Sequence, residues 1–412
     1  MITNFRRLCL LPVLVLLMAA CTRQPAPPVA EESYASPYAT PPVVAAPVTI
    51  EAPRPDAMGQ IPVDKRVKVA LLLPITGRNS DLGRALQDAA TLSLFDKYAS
   101  LTPEQNRVRV ELKTYDAGDT PEQAREAAEQ AIADGSVMLI GPVFSDATAA
   151  VAIPARAAGV PVISFSNSPG VAAPGVYIFG FSPEAQTRRV VEFATSQGRV
   201  QLAALTPNNP YGQTVMEAAR QQITDSGAVL VREARFSPQG VGLDIAMQTL
   251  IPPGEPAAFD SLFLPEAGPP LDTILRTLEA RGLRNRGIQL LGTGLWDDVL
   301  LITRVNLEGA WFATSPPHLT NAYETRFRNV YRYQPPRLSS LAYDAVALAV
   351  TIIATGRPLT EKTFTTPGGF SGPANGIFRF KKNGLSERGL VVLEVRGGGF
   401  DVVSPAPVGF VP

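Results

Sequence analysis

Apolar and polar positions along this chain switch between two periods. Residues 67–73 (VKVALLL) form an almost unbroken apolar run, the pattern of a strand buried on both faces. A helix over 83–98 follows, with Leu86, Ala90 and Leu94 on one face. Val108, Val110 and Leu112 alternate as a second strand. Residues 121–134 read as a helix, with Pro121 in its first turn and Thr120 as N-cap. Further strands are predicted at 137–140, 160–163, 202–205, 228–236, 261–264, 288–291 and 310–313. Further helices open at Ser145 and run over 213–226, 271–281, 322–331 and 339–355. Two β segments, 376–380 and 390–395, close the pattern, and Gly397-Gly398-Gly399 reads as a hairpin turn. Repeated strand–helix units predict an α/β fold of parallel sheets flanked by helices, with right-handed crossovers. The last residues, 405–412, read as a frayed tail.

This rhythm is absent before Lys65. Residues 22–64 carry Pro25, Pro27, Pro28, Pro37, Pro41 and Pro42 among Ala, Val, Ser and Glu. Such a stretch buries too little surface to fold and prefers extended states, so it reads as a tether. Its reach lies between a coil of roughly 35 Å and an extended length of ~130 Å. Ahead of it, Arg6-Arg7, an apolar run from Leu8 to Leu17 and Ala19-Ala20 have the order of a secretory signal over 1–20. The run is short of the ~20 residues that span a bilayer. Cys21 follows the small residues, and Leu17-Met18-Ala19-Ala20-Cys21 resembles the lipobox of bacterial lipoproteins. That resemblance implies lipidation of Cys21. Thr22, where inner-membrane retention signals carry Asp, implies the periplasmic side of the outer membrane.

Composition narrows the function. Cys9 falls in the signal, which leaves one cysteine, so no intrachain disulfide supports the fold. With 45% hydrophobic residues the chain can build its own core, and its length suggests two lobes. Lysine and arginine number 37, as do aspartate and glutamate, and no basic stripe marks a nucleic-acid partner. A single histidine, His318, removes most metal sites and nucleophile–base pairs. No dinucleotide loop, P-loop or nucleophile elbow occurs. Asp297 and Asp298 are adjacent, so they point apart and make a poor acid–base pair. Trp296 and Trp311 read as core or cleft wall. The expectation is a non-enzyme with no catalytic residues, no metal and no cofactor.

Candidate chemistry lies in the loops after the strands, where ligands of such folds bind. These are Pro74–Gly83, Gly141-Pro-Val-Phe-Ser145-Asp-Ala-Thr148, Ser164-Phe-Ser166-Asn-Ser168, Thr206–Gly212, Leu264-Pro-Glu266-Ala-Gly268 and Gly292–Asp297. Hydroxyl-bearing residues at helix starts suit a carboxylate or another oxygen-rich group. The alternative for Ser145 and Thr76 is that they are only caps and turn residues.

LLLPITG, IGPVFSDAT, VPVISFSNSP, NPYGQTV and SLAYDAVALA together resemble the type I periplasmic solute-binding fold of the leucine-binding kind. The resemblance covers 66 to about 400. It implies two lobes, 66–181 with 316–366 and 182–315 with 367–404, joined by three crossover strands around a cleft. It also implies roles for single residues. Ser145 and Ser168 would hold a ligand carboxylate through hydroxyls, Ser166 through its backbone, and Tyr211 would line the second lobe. Gly294 stands where amino-acid binders of the family place the acid for the ligand ammonium, and Leu82 and Leu264 stand where they place aromatic residues. Glu266 and Asp297 are the acids that could take over.

The VALLLPITGRN and DAATLSLFD runs, the tether and the lipobox also resemble a subgroup, the penicillin-binding protein activators. That resemblance implies a bifunctional peptidoglycan synthase as partner. Members of the subgroup carry a helical-repeat domain for which this chain has no room. The first expectation is therefore a lipid-anchored activator of such a synthase. The alternative is the binding lipoprotein of an ABC importer, partnered by its permease, with an amino-acid-like or amide ligand.

Overall fold

The computed structural model describes residues 65–410 except 103, 104, 106, 107, 239, 284–286 and 305. The expected signal, Cys21 and the tether lie outside the described residues.

Five strands form a parallel sheet in the order β2-β1-β3-β4-β5: β1 (Lys65–Leu73), β2 (Val108–Asp116), β3 (Met138–Ile140), β4 (Val162–Ser164) and β5 (Val176–Ile178). Helices α1 (Ser80–Ser100), α2 (Pro121–Ala133) and α3 (Ser145–Ala158) connect the first four. Alternate side chains of β1 enter opposite layers, as the strand period of two requires. Val69, Leu71 and Leu73 join a core with α1, whereas Ala70 and Leu72 join another with α2 and α3. Each fully buried leucine contributes about 1.5–3 kcal/mol relative to exposure.

The second sheet has the order β15-β14-β10-β9-β8-β6-β7. Its parallel part is β6 (Gln201–Pro207), β7 (Val229–Phe236), β8 (Ser261–Phe263), β9 (Gln289–Gly292) and β10 (Trp311–Thr314). Helices α4 (Pro183–Ser196) and α5 (Pro210–Asp225) cover one face. Helices α6 (Leu243–Leu250) and α7 (Pro269–Ala280) cover the other, with α8 (Val299–Arg304) following β9. Past β10, the chain returns to the first lobe as α9 (Pro317–Tyr331), α10 (Ser339–Ala354) and α11 (Glu361–Phe364). It then forms a small sheet of β11 (Phe370–Gly372), β12 (Gly376–Phe380) and β13 (Ser386–Arg388). The antiparallel pair β14 (Val391–Arg396) and β15 (Gly399–Ser404) completes the second sheet.

Several expectations change. The hand-over expected at 366/367 falls instead near Gly389, because Phe378 and Phe380 pack around Phe179 and Tyr177 in the first core. The crossings therefore lie at about 180–182, 315–316 and 389–390. The tail is held at two points: Ala406 lies against the second core and the Arg379 guanidinium sits 4.8 Å over the Phe410 ring. Thr120 caps α2 as expected, accepting from Gln123 N in a capping box. The pattern reading passes over β5, α4, α6, α8, α11, β11, β13 and β15.

Candidate functional site

Both parallel sheets change direction beside their first strand. In the order β2-β1-β3 the loops after β1 and β3 diverge, and in β7-β6-β8 those after β6 and β8 do so. Such switch points open crevices at the carboxyl ends of strands. In the first lobe the crevice is a cavity of about 460 Å³, within the usual range for small-molecule sites. Ser145, Ser166, Asn167, Arg78, Asp119 and Asp146 are among its lining residues.

The walls are pinned in advance. The Asp116 carboxylate accepts from Ile75 N (3.0 Å), Thr76 N (3.3 Å) and Gly118 N (2.9 Å). Burial alone would raise its pKa, but these bonds and that from the Thr76 hydroxyl hold it below the usual carboxylate range. Asp119 accepts from Arg78 N (2.8 Å) and Asn79 Nδ2 (3.2 Å), and the Arg78 amide is the main cause of its lowered pKa. On the other wall Ser164 Oγ takes the Ser166 N–H at 3.1 Å and meets Thr148 Oγ1 at 2.7 Å.

Ser145 is the first residue of α3, not its cap. The N-cap position is Phe144, which offers no side-chain hydrogen bond. The first-turn N–H groups and the Ser145 hydroxyl are thus left for an anion. Ser166 reaches the cavity, but the backbone role expected for it is taken: its N–H goes to Ser164 and its carbonyl accepts from Gly180 N at 3.0 Å. Ser168 is not among the lining residues, and its N–H donates to Ser166 Oγ at 3.1 Å. Thr76 serves the Asp116 clamp. Leu82 packs on the first core and Leu264 is fully buried in the second, so neither replaces an aromatic wall.

Tyr211 and Glu266 flank the second switch point. The Tyr211 hydroxyl is 2.8 Å from Thr293 Oγ1, and burial pushes its pKa to about 12. The Glu266 loop is held from below, where the fully buried Trp296 donates Nε1–H to the Glu266 carbonyl at 2.8 Å. The Glu266 carboxylate accepts only from Ala267 N (2.8 Å), and burial raises its pKa. No cation reaches it among the described residues.

Sequence reasoning missed Arg337. From the first lobe its guanidinium enters the second, donating to the Gly294 carbonyl and, at 2.7 Å, to Thr314 Oγ1. Asp297 lies 3.3 Å from it and also accepts from Thr314 Oγ1 at 2.7 Å. A Cβ on Gly294 would come within 2.7 Å of Gln186 Nε2 and 2.9 Å of Arg337 Nη2, so a side chain there would have to displace both groups. Asp297 is engaged by Arg337, which leaves Glu266 as the available acid. Asp298 turns away and caps Leu300 N at 2.8 Å. His318 is exposed in the first turn of α9. Among the described residues no cluster of His, Cys, Asp and Glu has the makings of a metal site, and no helix is long and apolar enough to cross a membrane.

A curated relative, the uncharacterized protein RP748 of Rickettsia prowazekii (strain Madrid E), is 23% identical over 40% of this chain. The match spans 42% of that relative, less than half its length. A solved structure from Rhodospirillum rubrum, provisionally described as a branched-chain amino acid ABC transporter, superposes with a TM-score of 0.73 at 21% identity. It covers 82% of this chain and 99% of its own. The branched-chain amino acid transporter substrate binding protein LivJ from Streptococcus pneumoniae, in complex with isoleucine, gives 0.59 at 17% identity, covering 82% and 100%. Likeness at these identities establishes the two-lobed fold. A family profile described as periplasmic binding protein matches residues 66–399, nearly all of the folded part, and the chain belongs to that family.

Proposed function

We propose that this chain is the solute-binding component of an ABC importer and takes a small zwitterionic, amino-acid-like ligand. One observation carries the reading: the two switch points offer complementary hydrogen-bonding groups. The first offers free helix N–H groups and the Ser145 hydroxyl to a carboxylate. The second offers Glu266, half-buried and without a cation, to an ammonium. Ionising that carboxylate in a half-buried place costs free energy, which a ligand cation would offset. Tyr211 would close the second-lobe wall, and a ligand touching both lobes would draw them together. In this reading Cys21 carries lipid on the periplasmic side of the outer membrane, residues 22–64 are the tether, and an ABC permease is the partner.

Arg337 supports a second reading, the activator of a bifunctional penicillin-binding protein. It ties the first lobe to Gly294, Thr314 and Asp297 of the second through protein groups. A fold tied in this way can present a fixed surface to a protein partner.

Two measurements test the proposal together. The first is a panel of amino acids, amides and wall peptides scored by thermal shift. A ligand at a hundred times its Kd stabilises the fold by about 2.7 kcal/mol. The second is in-cell cross-linking of the tagged chain with mass spectrometry. A ligand and a captured permease are the expected result. A silent panel with a captured penicillin-binding protein would replace the importer reading with the activator.

A further inference from the structure

A second cavity, of about 440 Å³, lies at the hinge and is lined from both lobes. Ile178 and Lys381 come from the first, α4 with Arg188 and Arg189 from the second, and the crossings contribute Ser182 and Arg388. Its acids already have partners. Glu184 accepts from Ser182 Oγ at 2.7 Å, Glu387 lies 3.0 Å from Arg379 and 3.5 Å from Lys381, and Glu192 is 3.9 Å from Arg189. Arg189 also donates to the Leu390 carbonyl at 3.1 Å.

Four cations, Arg188, Arg189, Lys381 and Arg388, line the cavity against these three acids. Arg188 is exposed, and no described residue pairs with it. Arg388 is only 9% exposed and donates through Nη2 to the Phe179 carbonyl at 2.6 Å, but its Nε and Nη1 find no acceptor. Three N–H groups are therefore buried unpaired. Aromatic faces at 4.2 Å (Phe179), 5.6 Å (Phe181) and 5.6 Å (Phe378) stabilise its charge but accept no conventional hydrogen bond. The charge of Asp344 also acts on it, yet that carboxylate is held by Ala374 N, Asn375 N and Asn375 Nδ2. Nε and Nη1 of Arg388 have almost no accessible surface, so an occupant of the cavity would feel the charge of Arg388 at close range and bond directly to the exposed Arg188.

We propose that the hinge cavity binds a small anion bearing a carboxylate or phosphate group, between Arg188 and Arg388. The occupant would touch both lobes at two of the three crossings. Its presence would bias the angle between them and hence the affinity of the cleft.

The test uses the full chain, with inorganic phosphate and malonate as probes and sodium chloride to hold ionic strength constant. A saturable rise in melting temperature with one or both anions is expected. Arg188→Glu should raise the half-saturating concentration at least tenfold, whereas Ser145→Ala should leave it unchanged. A response to phosphate alone, or to malonate alone, identifies the group recognised. Arg388→Met should abolish the response if circular dichroism shows it folded; if it does not fold, Arg188→Glu decides. No saturable rise with either anion overturns the proposal. So does an equal midpoint in Arg188→Glu and wild type, or a midpoint moved by Ser145→Ala alone, which would place the anion in the cleft.

Discussion

The two lobes use one device at their first strand–helix turn and differ at the next. A proline ends or directly follows the strand, and a glycine in the following helix packs against that proline's carbonyl. The pairs are Gly83 on Pro74 and Gly212 on Pro207, where an added Cβ would stand 2.1 and 1.8 Å from the oxygen. At the switch-point helices the likeness ends. Helix α3 opens with Ser145 and free N–H groups. Helix α7 opens with Pro269-Pro270, which have no N–H to give, and Glu266 stands just before it. The start of α3 leaves its N–H groups unpaired, whereas α7 has prolines in their place and a carboxylate just before them. A few residues at one helix start suffice to change the charge that two similar strand–helix turns present.

The largest effect is expected where the first lobe is pinned. Asp344 on α10 is almost fully buried and accepts from Ala374 N (2.8 Å), Asn375 N (3.0 Å) and Asn375 Nδ2 (2.9 Å). Asp344→Ala leaves three buried donors, each costing about 1–3 kcal/mol, so a loss of at least ~3 kcal/mol is expected in urea unfolding. Hydrogen exchange should show the loss in α10 and β12 but not in β6. An equal loss in β6 would break the division between lobes. Burial pushes the pKa of this carboxyl to about 6. The folded state holds its proton more tightly than the unfolded chain, so this group's contribution to stability declines as pH rises from about 4 to about 6. Asp344→Asn should flatten that decline.

The shared device predicts a smaller, paired effect. Gly83→Ala and Gly212→Ala force a methyl against a backbone carbonyl and should each cost about 1–3 kcal/mol. Similar losses would show that the lobes use the turn alike. A harmless substitution in one lobe only would mean that its loop can shift.

Much of this arrangement was legible in the sequence, because it rests on local signals. The apolar run of β1, the Thr120 cap and the hydroxyls at strand ends each act within a few residues. β5 was illegible since three residues carry no period. The sheet of β11 to β13 joins the first core through Phe378 and Phe380, and no local pattern assigns it to either lobe. Arg337 was invisible for a similar reason: its partners Gly294 and Thr314 are 43 and 23 residues away. Ser166 was misjudged because its N–H is claimed by the nearby Ser164 hydroxyl, a choice that depends on side-chain direction.

The smallest effect bears most directly on the contrast between the two helix starts. If Glu266 receives a ligand ammonium, Glu266→Gln should weaken binding about tenfold near neutral pH, or about 1.4 kcal/mol. Because burial raises the pKa of this carboxyl, affinity in the wild type should fall as pH drops through that raised value. In Glu266→Gln the dependence should vanish. The same change should leave the unliganded fold as stable or slightly more so at neutral pH, since it removes a half-buried charge without a cation. A carboxylate kept for structure would behave in the opposite way, with stability lost and ligand affinity untouched. Opposed movements of affinity and stability would therefore mark Glu266 as a binding group, held at a cost to the free protein. Parallel losses would mean that the lobes differ in sequence but not in role.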